Sequence, residues 1–230
     1  MRNTIISASL LCVLGVSNSA LAQEATAPMI GGEGRAILAL GMEPIGVAQI
    51  GGVYTPRAEL LDRPVSVGVM LSAPSALLDG RHARHEVFAR ATLFERERFK
   101  IIDRLALFHQ STSNPLYHSR GLGLAENIII GYFAPRAWIA GELGMRFTFA
   151  NHITHSDRYI EDVNPDAQSG WYRATGALLQ IGAQAGVHIA DRVELSLRAG
   201  IDTTFRGQGR TAPLFGAISA AWMFGRGARR

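Results

Sequence analysis

Between Trp171 and His188 the chain changes character at every second residue. One face collects Arg173, Thr175, Ala177, Leu179, Ile181, Ala183, Ala185 and Val187; the other collects Ala174, Gly176, Leu178, Gln180, Gly182, Gln184, Gly186 and His188. The period recurs downstream, where Leu195, Leu197, Ala199 and Ile201 alternate with Glu194, Ser196, Arg198 and Asp202. Upstream, Ile139, Leu143, Met145, Phe147 and Phe149 alternate with Glu142, Gly144, Arg146 and Thr148. Successive side chains of a strand point to opposite faces, so a two-residue period predicts strands. Glycine recurs every few residues, and each one costs a helix ~1 kcal/mol.

Strands are predicted at Pro64–Ala73, His85–Arg96, Phe99–Gln110, Leu122–Phe133, Arg136–Ala150, Gly170–Val187, Arg192–Phe205 and Ala212–Phe224. All eight exceed the ~5–6 residues of an average soluble strand and are long enough for a tilted bilayer crossing of ~9–11 residues. The links at Arg96 to Phe99, Phe133 to Arg136 and Val187 to Arg192 are tight. Those at Pro74–Arg84, Ser111–Gly121, Asn151–Ser169 and Arg206–Thr211 are longer. Alternating short turns and long loops is the pattern of an outer-membrane barrel. Closure also leaves no strand edge unpaired in lipid. Gly34–Met42 and Ile45–Tyr54 have spanning length and can add a hairpin around Glu43 and Pro44. The expectation is an all-β antiparallel transmembrane barrel of about ten strands, with eight as the alternative.

Composition refines this picture. Of 230 residues, 47% are hydrophobic and 18% charged, too apolar a balance for a disordered chain. Only the N-terminus holds a long apolar run, so spanning helices are not expected. Arg2, the run from Ile5 to Val16, and Ser19-Ala20-Leu21-Ala22 have the layout of a cleaved signal peptide. The expected division is a signal peptide at 1–22, a periplasmic leader at 23–33, the barrel at 34–224 and a tail at 225–230. Cys12, the one cysteine, falls in the expected signal peptide, so the mature chain is expected to have no disulfide or thiolate chemistry. Its 22 basic residues (23 less Arg2) are scattered among 19 acids, which gives no nucleic-acid footprint.

With these features the chain resembles a small Gram-negative outer-membrane β-barrel protein. Leu214, Gly216, Ile218, Ala220, Trp222 and Phe224 share one face, resembling the last strand read by the barrel assembly machinery. The resemblance implies the cell outer membrane as location. It implies that machinery and outer-membrane lipids, lipopolysaccharide included, as partners. Phe94, Phe99, Phe133, Trp138 and Phe224 at the short-turn ends, and Phe108, Phe149, Trp171, Tyr172 and Phe205 at the long-loop ends, are expected in interfacial girdles.

The face turned from lipid carries Arg90, Arg104, Glu142, Arg146, Glu194, Arg198 and Asp202, which predicts either a paired interior network or the lining of a small pore. Asp103 falls on the opposite face from Arg104. Two loop constellations carry possible chemistry. His152 and His155, followed by Asp157, Glu161, Asp162 and Asp166, are weak metal candidates. His109, Ser111 and Glu126 supply the base, nucleophile and orienting carboxylate of a triad. They resemble the His-x-Ser…Glu arrangement of outer-membrane lipid A 3-O-deacylases. Gly121-Leu122-Gly123 and Gly225-Arg226-Gly227 precede no predicted helix, so they are not read as phosphate loops. The leading expectation is a structural or interaction-mediating protein working through its long loops, without a cofactor. A lipid A acyl hydrolase and a small-solute channel are the alternatives.

Overall fold

The computed structural model describes residues 32–43, 45–57, 59–60, 63–74, 82–204 and 214–225. The expected signal peptide, most of the leader, Phe205, the Arg206–Thr211 loop and residues 226–230 lie outside the described residues. The chain forms strands β1 (Glu33–Glu43), β2 (Ile45–Thr55), β3 (Glu59–Leu60), β4 (Arg63–Pro74), β5 (Arg84–Arg96), β6 (Phe99–Ser113), β7 (Tyr117–Phe133) and β8 (Ala137–His155). Helix α1 (Asp157–Asp162), β9 (Gly170–Ala190), β10 (Val193–Thr204) and β11 (Leu214–Gly225) follow. Each long strand pairs antiparallel with its neighbours. The sheet closes because β1 pairs with both β2 and β11, from Glu33 opposite Gly225 to Met42 opposite Gly216. The two-residue β3 pairs only with β4, so ten of the eleven strands make the wall.

Alternation decides what each residue meets. On β4, Val67, Val69 and Leu71 face out, while Ser66, Met70 and Ser72 are buried inside. On β11, Leu214, Ile218, Trp222 and Phe224 face out. Large apolar side chains are exposed on all ten wall strands, and Ile218 shows 64% of its surface. Water would penalise such a surface at roughly 25 cal/mol per Å², whereas lipid does not. No helix among the described residues is long and apolar enough to cross a membrane.

Strand extents depart from expectation above the apolar belt. The segment Ser111–Gly121 is not a loop. β6 and β7 continue through it to a three-residue turn, where the Asn114 side-chain oxygen accepts from the Leu116 and Tyr117 N–H groups at 2.8 and 2.9 Å. β8 likewise runs on to His155, and Ser156 caps α1 by accepting from the Tyr159 N–H. Polar residues outside lipid can still pair as strands, and a hydrophobicity pattern cannot register that. Upstream of β4 the order of links is reversed: β1 and β2 are joined tightly across residue 44 at the long-loop end, and β2 leads to β4 through β3 at the short-turn end.

Not every ring expected in the girdles faces lipid; Tyr172, for one, stands opposite inward Asn151 and donates its hydroxyl to the Gln168 carbonyl. Phe94, Phe99, Tyr132, Trp222 and Phe224 face lipid at the short-turn end, and Phe149 and Trp171 do so at the other. Phe133 and Trp138 instead point inward and stack, with ring centroids 5.7 Å apart. Phe108 is also inside, because it shares its parity with Arg104. Position near a strand end does not override the two-residue period.

Candidate functional site

The interior is built from repeated stacks. Gly68, Gly123 and Gly200 each leave a space that a Cβ would fill, and the rings of Phe88, Phe108 and Phe215 occupy those spaces. A guanidinium covers each ring: Arg104 over Phe88 at 4.0 Å, Arg84 over Phe108 at 4.2 Å and Arg198 over Phe215 at 4.4 Å. A cation over an aromatic face gains from the ring quadrupole, more so without water.

Carboxylates then complete the arginines. Glu86 accepts from Arg84 at 2.6 Å and from Arg104 on its other oxygen. Glu142 receives the Arg198 Nε at 2.7 and 2.9 Å, its Nη2 at 2.6 Å, and the Gln184 amide at 3.2 Å. Glu194 meets Arg35 at 3.3 Å and His188 at 3.0 Å. Asp202 accepts from Gln180 at 2.9 Å. Arg146 lies within electrostatic reach of both Glu86 and Asp202. Arg90, Arg104, Glu142, Arg146, Glu194, Arg198 and Asp202 all point inward and are buried. The sequence reading missed Arg35, Arg84 and Glu86. The period that placed Arg90 inside places Arg84 and Glu86 there as well, three and two steps away.

The expected triad does not assemble. His109 and Ser111 share the outward face of β6, but Glu126 on β7 lies opposite Leu105. Four residues of strand separate Leu105 from His109, about 13 Å at ~3.3 Å per residue, and six separate it from Ser111. Glu126 instead faces lipid between Leu124 and Ile128, with outward Asp103 diagonally adjacent on β6. A general base must lie within hydrogen-bond reach of its partner, and this register forbids it.

The metal candidates separate too. His152 faces outward against the Trp171 ring, with centroids 5.1 Å apart; His155 faces inward and stacks on buried Tyr159 at 4.9 Å. Three residues apart on one strand, they lie on opposite faces. Among the described residues no three His, Cys, Asp or Glu side chains are placed to hold a metal.

The arrangement defines a class: an integral outer-membrane β-barrel protein, with an apolar exterior and a packed, charged interior. The sequence matches no protein-family model and no curated protein. Among solved structures, it is similar to an outer membrane channel from Pseudomonas putida F1, at 9% identity and a TM-score of 0.52, covering 89% of this chain and 100% of that one. It also aligns with the KdgM porin in complex with disordered oligogalacturonate, at 8% identity and a TM-score of 0.43, over 83% of this chain and 99% of that one. The outer membrane enzyme PagL aligns at 9% identity and a TM-score of 0.34, over 84% and 99%. At such identities the likeness to the channel concerns the fold alone, and the other two carry no argument.

Proposed function

We propose that this barrel is a closed, non-enzymatic protein of the outer membrane that acts through its outer and extracellular surfaces. The observation that carries the reading is the interior. Arg84, Arg104, Arg146 and Arg198 are at most 2% exposed, and Asn127, Gln180 and Glu194 are fully buried. An ion would have to displace paired charges, each costing several kcal/mol to leave alone in a low dielectric. The protein is thus a scaffold or contact protein, its belt solvated by outer-membrane lipids and its last strand presented to the barrel assembly machinery. Purified protein in a planar bilayer is expected to give no discrete conductance steps. Steps that persist at single-protein dilution would overturn the closed-barrel reading in favour of a channel. Expression in a host membrane is expected to leave lipid A mass unchanged. Deacylation lost in Ser111→Ala would instead establish the hydrolase.

A further inference from the structure

Resting on that reading, we propose that the outward face of β5 to β8, just above the apolar belt, binds the phosphate of a membrane lipid headgroup, and binds it more tightly on acidification. The register builds this face. His85 stands opposite His109, and His109 opposite Leu122. One step further from the belt, Ser111 stands opposite Arg120, and Arg120 opposite His152. His118 follows two residues beyond Arg120 on the same face. Below them come Leu105 and Leu107 on β6 and Leu122 and Leu124 on β7, all exposed. The basic group therefore occupies the depth of lipid headgroups, immediately above acyl-chain contacts.

Its chemistry is donor-rich. The Nδ1 atoms of His85 and His109 lie 3.4 Å apart, with the rings parallel to within 4°. Arg120 donates from Nε to Nε2 of His118 at 2.9 Å, a bond that engages only one of its nitrogens. Charged groups on the surrounding elements are few. His82 precedes β5, and Arg173 of β9 stands opposite Ala150 on the same outward face. On β7 the first acid below Arg120 is Glu126, six residues away. Beyond β8, α1 carries Asp157, Glu161 and the Arg158–Asp162 pair. Burial holds the His118 imidazole below its ordinary pKa, and Arg120, His152 and His82 add repulsion. A phosphate would supply the missing negative charge and favour the protonated rings. A guanidinium at the centre disfavours a metal cation.

The test uses the full-length protein, folded in detergent and read by native mass spectrometry. The probes are diphosphorylated lipid A, the same lipid dephosphorylated, and inorganic phosphate. Diphosphorylated lipid A is expected to stay bound at pH 5.5 and about tenfold less at pH 8, the change of one imidazole pKa unit. Arg120→Ala combined with His109→Ala is expected to weaken retention about tenfold, as for loss of a charge-assisted hydrogen bond. The heat-dependent gel shift should be unchanged. If that variant loses the shift, His85→Asn with His109→Asn reads the same face. Equal retention of the dephosphorylated lipid, or of either lipid by the variants, would overturn the proposal. Displacement by millimolar inorganic phosphate without lipid preference would assign a soluble-phosphate site instead. Stoichiometric zinc binding that leaves lipid retention unaffected would assign a metal site. Absence of the gel shift in the unaltered protein would overturn the barrel reading itself.

Discussion

Glu86 and Glu126 show how one carboxylate's setting decides its consequence. Glu86 lies inside, held by Arg84 and Arg104. Replacing it by Gln leaves two buried guanidinium groups without their counter-charge, a loss of about 3–5 kcal/mol for a broken buried pair. The urea midpoint of Glu86→Gln, refolded in lipid vesicles, is expected to fall accordingly. Glu126 faces lipid between Leu124 and Ile128. A charge on the lipid face is destabilising, less for acids than for bases. Glu126→Leu is therefore expected to stabilise the folded barrel, by about 1 kcal/mol, read as a raised midpoint in the same assay. A lower midpoint would mean that the carboxylate has a partner in the bilayer. Both residues occur on alternating strands of similar composition, and only parity separates their fates.

Within a strand, glycine and phenylalanine act as a pair. Gly123 on β7 stands opposite Phe108 on β6, and the ring lies where a Cβ would be. Gly123→Val drives the ring into Arg84 and is expected to cost about 1–3 kcal/mol, as overpacking does in other close-packed cores. Near-UV circular dichroism should report the disturbed aromatic packing. An unchanged spectrum and midpoint would show that the stack is soft. At this scale much of the fold was legible. The two-residue period fixed the faces of β8, β9, β10 and β11, and spanning length favoured ten strands over eight. What escaped were features that hydrophobicity does not record. Ser111 and Arg120 pair as strand residues because backbone groups pair wherever a neighbour is present. His109 and Glu126 looked adjacent because spacing along a chain omits the register between strands.

The molecule as a whole is two environments separated by one layer of backbone. Part of its acid response should therefore come from outward His118, which faces solvent and headgroups. The depressed pKa of His118 means the unfolded chain takes up that proton more readily than the folded barrel. Stability is then full above the ordinary imidazole range near ~6.5 and declines as the pH drops below it. Protonation also removes the Nε2 lone pair that accepts from Arg120. Urea titrations in neutral-headgroup vesicles from pH 8 to pH 5 should show a falling midpoint, with a shallower fall in His118→Ala. A flat profile in the unaltered protein would rule out this coupling.

The Arg35–Glu194 pair has a kinetic meaning as well. Arg35 belongs to β1 and Glu194 to β10, and β11 lies between them in the wall. Until the first and last strands meet, neither charge can reach the other, and the half-rolled sheet holds both on a face wet enough to solvate them. Desolvation of the lumen and the meeting of the chain ends are consequently one event. A stalled intermediate would be an open, hydrated sheet at the bilayer surface, and never a dry cylinder with a slit.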